Sequence, residues 1–210
     1  MRILGIDPGS RLTGYGCVDI VGNQLKLVGH GTLKLSSTSG KSTVPLEQRL
    51  LLLYQGLNEV IIKFKPQIIA VEKVFFAKNA LSALKLGQAR GVALVCGAIH
   101  LLEVVEYSPS EVKQAVVGHG TADKDQVAKM VQLLIGRQDF ASSDASDGLA
   151  LAICHAHTMA TSRGQDPAYG KALQAASGRR SKKRLSMAES LGITPESVER
   201  KRRMDISSKG

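Results

Sequence analysis

The chain has 210 residues, of which 43% are hydrophobic, and it carries a formal net charge of +10. This length predicts one domain of ordinary size with an appendage, and the apolar content is sufficient for a core. No apolar run approaches the ~20 residues of a membrane span, and the four residues between Arg2 and Asp7 are too few for the apolar region of a signal peptide. Three widely spaced cysteines without a CxxC pair indicate reduced core thiols and a cytoplasmic protein.

The predicted elements alternate between strands and helices. They are strands Ile3–Asp7, Thr13–Ile20 and Gln24–Lys34, helix Pro45–Phe64, strand Ile68–Glu72, helix Asn79–Leu101, strand Val104–Tyr107, and helices Ser110–Val117, Asp123–Ile135 and Ser143–Ser162. A Gly22-Asn23 turn is expected to join the second and third strands as a hairpin. This order predicts one α/β domain with a mixed sheet.

Four carboxylates lie on apolar secondary structure. Asp7 and Glu72 end the first and fourth strands, and Asp144 and Asp147 lie three residues apart near the start of the last helix, on one face. Burying a lone carboxylate is costly, so such groups are usually paired with cations or bound to metal. If the first and fourth strands pair in parallel, their carboxylates emerge together at the edge where open α/β sheets bind ligands.

Hard oxygen ligands of this kind fit Mg²⁺ or Mn²⁺, whereas zinc would favour nitrogen or sulfur. Two such ions about 4 Å apart can activate water and stabilise the leaving oxygen of a phosphodiester. Each carboxylate alone has an ordinary alternative: a turn or cap residue, a charge that complements the helix dipole, or, for Glu72, an ion pair with Lys73 or Lys78. The conjunction of the four indicates a metal site, but it does not identify the substrate.

Positive charge is concentrated towards the end of the chain. Residues 1–162 carry a net charge of +3 and residues 163–210 a net charge of +7. We therefore predict a folded domain over 1–162 and a basic, flexible tail over 163–210. The tail either aids solubility alone or binds a polyanion through counterion release. The carboxylate site favours the second interpretation, because it independently indicates phosphates.

Six segments resemble the RuvC family, the bacterial Holliday-junction resolvases. They are Gly5–Gly16, Val71–Gly91, Glu106-Tyr107, Val112–Gly118, Ala122–Lys124 and Asp144–Ile153. The segments agree with the family in order and approximate spacing over about residues 1–160. The resemblance implies a ribonuclease-H-like fold, with a five-stranded mixed sheet flanked by helices. It also implies a homodimer that nicks two symmetry-related strands of a four-way DNA junction, and a branch-migration motor as a further partner.

The same resemblance assigns roles to individual residues. The family's metal-binding, catalytic carboxylates fall on Asp7, Glu72, Asp144 and Asp147, which implies Mg²⁺, two ions per subunit, with Mn²⁺ as a substitute. The residues implied in DNA binding are Phe75, Lys78, Asn79, Lys113 and Lys124. Phe75 falls on the aromatic that stacks on bases near the junction centre. Lys113 and Lys124 fall on basic positions that face the cleaved strand.

A stripe of small residues runs along the long second helix at Ala83, Gly87 and Gly91. Small residues let two helices approach closely, so the stripe is a candidate homodimer interface. Close packing on the chain's own sheet is an equal alternative. A two-fold dimer would present two carboxylate clusters to the two scissile phosphates of a junction.

Three other functions compete with these interpretations. The rivals are a nucleotide-binding protein of the actin/sugar-kinase class, a catalytically inactive junction-binding scaffold, and a related nuclease or transposase. The sequence lacks the second phosphate loop and the adenosine motif that the nucleotide-binding class needs, and the four intact acids disfavour an inactive scaffold.

His119 departs from the family pattern in a loop expected near DNA, where an acid role competes with a solvent-facing one. His155 and His157 do not share a helix face, which disfavours a zinc site.

Overall fold

The computed structural model describes residues 1–22, 24–35, 44–73, 80–136 and 143–165. The elements in chain order are β1 (Arg2–Asp7), β2 (Leu12–Val21), β3 (Gln24–Lys34), α1 (Leu46–Phe64), β4 (Ile68–Glu72), α2 (Ala80–Ile99), β5 (Glu103–Tyr107), α3 (Pro109–Val117), α4 (Lys124–Ile135) and α5 (Ser143–Gln165). Each of the ten predicted elements is present, with bounds that differ by up to three residues. Asn23 of the predicted hairpin turn lies outside the described residues.

The five strands form one mixed sheet in the order β3-β2-β1-β4-β5. β1 is antiparallel to β2 and parallel to β4, and β4 is parallel to β5. Ile6 on β1 pairs with Val71 on β4, so the next residue of each strand, Asp7 and Glu72, emerges at the same edge. The parallel pairing on which the predicted carboxylate site depended is therefore present.

Local signals in the sequence set the ends of several helices. α1 ends before Lys65, which adopts a left-handed conformation ahead of Pro66. α3 begins at a capping box, in which Ser108 and Glu111 satisfy each other's backbone N–H groups. Asp123 and Gln126 form a second capping box at the start of α4. None of the helices in the described ranges is both long enough and apolar enough to cross a membrane.

Two apolar cores lie on opposite faces of the sheet. α3, α4 and α5 pack on one face, and α1 and α2 pack on the other. The side chains of β1 alternate between the two cores, because Ile3 lies in the first core and Leu4 in the second. Cys17, Cys96 and Cys154 are buried free thiols in these cores, and burial raises the pKa of each to about 12.

The backbone of α5 lies directly on β1 and β2 because glycines line the contact. A Cβ added at Gly5 would overlap the carbonyl oxygen of Gly148, and one added at Gly14 would overlap the carbonyl oxygen of Asp144. Gly16 is equally close to Leu149. Only glycine permits this approach. The first turns of α5 are thereby held against the strand that carries Asp7.

Candidate metal centre

Three of the four predicted carboxylates lie together at the carboxyl end of the sheet. Asp7, Asp144 and Asp147 each offer one carboxylate oxygen, and these oxygens lie within 4.8 Å of one another. All three side chains are half-buried. Grouped oxygen ligands of this kind are what Mg²⁺, Mn²⁺ or Ca²⁺ require, and a cation would offset the repulsion among the negative charges. The residues present therefore fit a divalent metal ion.

Glu72, the fourth predicted carboxylate, adjoins this group through Asp7. Burial raises the pKa of both Asp7 and Glu72, and negative neighbours, Asp147 for Asp7 and Asp7 for Glu72, raise it further. A hydrogen bond between the two carboxyl groups also contributes to the raised pKa of Glu72. Carboxyl groups packed in this way favour the protonated form, and a bound cation would favour the charged form instead.

The alternative in which Glu72 pairs with a neighbouring lysine is wrong for Lys73. The Lys73 ammonium lies 3.8 Å from Glu111 Oε2, in an ion pair that links the end of β4 to α3. The other alternative partner, Lys78, lies outside the described residues.

Lys124 forms part of the carboxylate site itself. Its Nζ lies 2.8 Å from Asp147 Oδ2. The hydrogen bond to Asp147 is the main reason that the pKa of Lys124 is raised, and the charges of Asp144 and Asp7 add to it. The resemblance had implied that Lys124 faces DNA, whereas the structure places its ammonium on a carboxylate. Sequence reasoning missed this contact because the two residues lie on different helices.

Two further residues hold the turn that follows Asp7, and neither was predicted. The Thr13 hydroxyl is fully buried and exchanges hydrogen bonds with the backbone N–H and carbonyl of Gly9, each 3.2 Å long. The Arg49 guanidinium on α1 donates from Nη1 to the Ser10 carbonyl at 2.7 Å. The signal available in the sequence for Arg49 was its charge within the apolar run of α1.

The predicted DNA-binding residues are only partly visible in the structure. Phe75, Lys78 and Asn79 lie outside the described residues. Lys113 is half-buried on α3, and it has no ion pair with any residue that the structure describes. His119 is exposed in the loop after α3, with Nδ1 3.4 Å from the Thr121 hydroxyl. Lys124 is therefore the predicted DNA-binding residue that the structure brings to the carboxylates.

The small-residue stripe of α2 faces away from the sheet. A Cβ added at Gly87 or Gly91 would meet no atom within 4 Å among the described residues. The buried residues of α2 are instead Ala89, Ala93, Cys96 and Gly97. The alternative in which the stripe packs on the chain's own sheet is therefore wrong for these two glycines. Nearby apolar side chains are also exposed, namely Leu81 at 66%, Leu84 at 64% and Val95 at 55%.

His155 is a buried polar group of α5 that lies apart from the carboxylates. Its Nδ1 is 2.7 Å from the Tyr107 hydroxyl, and its Nε2 has no hydrogen-bond partner in the part of the chain that the structure describes. Burial lowers the pKa of His155 to about 4. His157 bonds elsewhere, to the Ala115 carbonyl, so the two histidines do not converge.

Curated relatives match about three quarters of this chain. Residues 3–155 match the family model described as Crossover junction endodeoxyribonuclease RuvC. The RuvC protein of Syntrophotalea carbinolica is 53% identical over 157 residues, which are 75% of this chain and 94% of the relative. The RuvC protein of Geobacter sulfurreducens is 50% identical over 158 residues, which are 75% of this chain and 93% of the relative.

Solved structures of Holliday junction resolvases are similar to this chain. Thermus thermophilus RuvC, determined in complex with a Holliday junction substrate, has a TM-score of 0.68 and 35% identity over 76% of this chain and 94% of its own. The yeast mitochondrial Holliday junction resolvase shares the fold, with a TM-score of 0.54 and 15% identity over 75% of this chain and 80% of its own. The matched region contains every element that carries the carboxylates. This chain belongs to the RuvC family of crossover junction endodeoxyribonucleases, a family of metal-dependent nucleases with a ribonuclease-H-like fold.

Proposed function

We propose that this protein resolves four-way DNA junctions by paired, symmetric hydrolysis of phosphodiester bonds, in homologous recombination and repair. The observation that carries the proposal is the grouping of Asp7, Asp144 and Asp147 within 4.8 Å, in a chain of a junction-nuclease family. We place the activity in the bacterial cytoplasm, because the relatives are bacterial RuvC proteins and the three cysteines are buried free thiols.

The proposed ligands of the metal are Asp7, Glu72, Asp144 and Asp147. Their hard oxygens favour Mg²⁺, with two ions per subunit and Mn²⁺ as a substitute. When bound, the metal supplies an activated water and stabilises charge on the scissile phosphate. The protein's own residues fix the ligands: the turn held by Thr13 and Arg49 orients Asp7, and the glycine contacts of α5 orient the two helical acids.

The residues proposed to bind DNA come from three segments of the chain. Lys113 and Lys124 supply positive charge for the phosphates of the cleaved strand. We propose that Phe75 stacks on a base at the junction centre and that Lys78 and Asn79, close to it in the sequence, also contact the DNA. A branch-migration motor is proposed as a further partner on family grounds.

We propose that two chains pair through α2 to form a homodimer. The stripe at Ala83, Gly87 and Gly91 leaves room for a second helix, and the exposed Leu81 and Leu84 would lose their contact with water. A junction has two equivalent strands to cut and each chain supplies one carboxylate cluster, so a two-fold pair matches the substrate.

The function is tested with three labelled substrates: a four-way junction, a linear duplex of the same sequence, and an RNA–DNA hybrid. We expect Mg²⁺-dependent cleavage of the junction alone. Asp7→Asn should abolish this cleavage, because it removes a charged ligand, while junction binding measured by gel shift is kept. Equal cleavage of the linear duplex, or loss of binding together with cleavage in Asp7→Asn, would contradict the proposal.

We also propose that residues 163–210 form a separate tail that binds the duplex arms of the junction through its positive charge. Truncation after Gln165, the end of α5, removes a net charge of +6 and none of the proposed ligands. It should weaken junction binding and flatten the slope of log affinity against log salt, because fewer counterions are released. Cleavage at saturating protein should persist. Equal slopes for the two proteins would show that the tail does not contact DNA.

A further inference from the structure

The Lys124 ammonium contacts a carboxylate that a metal ion would need as a ligand. It lies 2.8 Å from Asp147 Oδ2, within hydrogen-bonding distance of one of the three grouped carboxylates. A divalent ion ligated by this carboxylate would place a second positive charge beside the ammonium. Lys124 and a divalent ion would therefore compete for the Asp147 carboxylate.

We infer that Lys124 is a competing cation of the metal centre: it neutralises Asp147 until a divalent ion displaces it, and it then turns to a DNA phosphate. The inference rests on the proposed metal site. It differs from a simple DNA-binding role, because it assigns Lys124 an effect on metal affinity when no DNA is present.

The way in which Lys124 is attached suits an exchange of this kind. Its backbone is fixed at the first turn of α4 by the capping box of Asp123 and Gln126. Its side chain is 58% exposed, against 24% for Asp147, so the ammonium can leave for solvent while the carboxylate stays in place. Partly exposed ion pairs contribute only about 1 kcal/mol or less, which a divalent ion bound by several carboxylates exceeds.

The formal charges of the loaded site agree with the exchange. Two divalent ions balance the four carboxylates, Asp7, Glu72, Asp144 and Asp147, and leave the charge of Lys124 without a partner. One phosphate of the DNA strand restores neutrality. In a partly buried site such balance is strongly favoured, so metal binding and the release of Lys124 both prepare the site for DNA.

The test measures metal binding without DNA. Full-length protein, stripped with a chelator, is titrated with Mn²⁺, and free Mn²⁺ is followed by electron paramagnetic resonance. Lys124→Met removes the competing charge with little change in length, and should bind Mn²⁺ roughly three- to tenfold more tightly than wild type. Lys124→Arg keeps the charge and should bind Mn²⁺ much as wild type does.

The matched control is Lys129→Met, which removes the same charge from an exposed position on the same helix. It should change Mn²⁺ affinity by less than about twofold, because Lys129, unlike Lys124, forms no ion pair with a carboxylate in the described part of the chain. If Lys124→Met binds Mn²⁺ no more tightly than Lys129→Met, the inference is wrong.

Asp7→Asn separates this inference from the proposed metal site. If the wild-type protein binds Mn²⁺ and Asp7→Asn does not, the proposed metal site is supported. The lysine variants then decide the role of Lys124. Unchanged Mn²⁺ binding in Asp7→Asn would overturn the metal site, and the inference with it. Circular dichroism melting of each variant confirms that the compared proteins are folded.

Discussion

Helices α5 and α2 lie on opposite faces of the sheet and are held in different ways. α5 is buried from Ala145 to Ala156, apart from the half-buried Asp147, and its backbone touches β1 and β2 at glycines. α2 buries only a narrow face of small residues and exposes Leu81, Leu84 and Val95. Both are long helices, so their different burial reflects position and sequence and not size.

The contrast separates two tasks of the molecule. α5 carries Asp144 and Asp147, and the chain's own sheet sets their position relative to Asp7. α2 presents an apolar surface that no described part of its own chain covers, which is typical of a protein interface. We therefore expect metal binding to be a property of one chain, and paired cutting to be a property of two.

The largest expected effect comes from forcing α5 away from the sheet. Gly14→Ala places a Cβ on the Asp144 carbonyl, so the helix must shift and the acids must separate. We expect loss of metal-dependent cleavage and a fall of about 3 kcal/mol in the free energy of unfolding, measured in urea. Gly120→Ala is the control, because its Cβ would make ordinary contact with Ser110. Normal stability and cleavage in Gly14→Ala would show that α5 is not tightly seated.

A charge on the exposed face of α2 should break pairing but not the site. Leu84→Glu should shift the protein from dimer to monomer, measured by light scattering, because it places a charge within the proposed apolar contact. Leu133→Glu on α4 is the matched control, since Leu133 is 77% exposed but lies outside that face. Mn²⁺ affinity should be unchanged in both variants. A Leu84→Glu protein that remains dimeric would place the interface elsewhere.

The buried histidine of α5 should make the folded state sensitive to acid. His155 has a pKa of about 4 in the folded chain and about 6.5 when unfolded, so below pH 6.5 the unfolded state takes up a proton that the folded state does not. This lowers stability as pH falls from 6.5 to 4, by roughly 2 kcal/mol at pH 5. His155→Gln should remove that part of the pH dependence, measured by urea unfolding at pH 5 and 7. Parallel curves for the two proteins would contradict the assignment.

The smallest expected effect concerns the turn after Asp7, which α1 holds from the face shared with α2. Arg49→Met removes the hydrogen bond to the Ser10 carbonyl and should lower kcat/KM about fivefold, equivalent to about 1 kcal/mol. Arg49→Lys should restore part of the loss. Mn²⁺ affinity measured in parallel tells whether the turn positions the metal ligand. If Arg49→Met has wild-type kinetics, the hydrogen bond between Arg49 and the Ser10 carbonyl has a structural role only.

Most of the fold could be predicted because its signals are local. Apolar alternation marks the strands, and the Ser108–Glu111 capping box marks the start of α3. The convergence of Asp7 and Glu72 required one further assumption, the parallel pairing of β1 with β4, which the sheet confirms. Asp144 and Asp147 were grouped with them from their spacing on one helix face, and the family resemblance then implied that all four bind metal.

The contacts that could not be predicted are those set by how helices lie across the sheet. The Lys124–Asp147 ion pair depends on the relative placement of α4 and α5, which no local pattern encodes. The same holds for Arg49 on the Ser10 carbonyl and for the partner of Lys73. The outward direction of the α2 stripe was likewise undecided, because small residues suit either kind of close packing.

The glycine contacts beneath α5 also determine where an inhibitor could act. Backbone lies on backbone there, so a drug-sized molecule has no space to wedge between the helix and the strands that carry the acids. Compounds must instead approach from the open side of the carboxylates, where a metal-chelating group would be effective. The exposed face around Leu84 offers a second approach, because a ligand bound there would block the proposed pairing and leave the chemistry of each chain untouched.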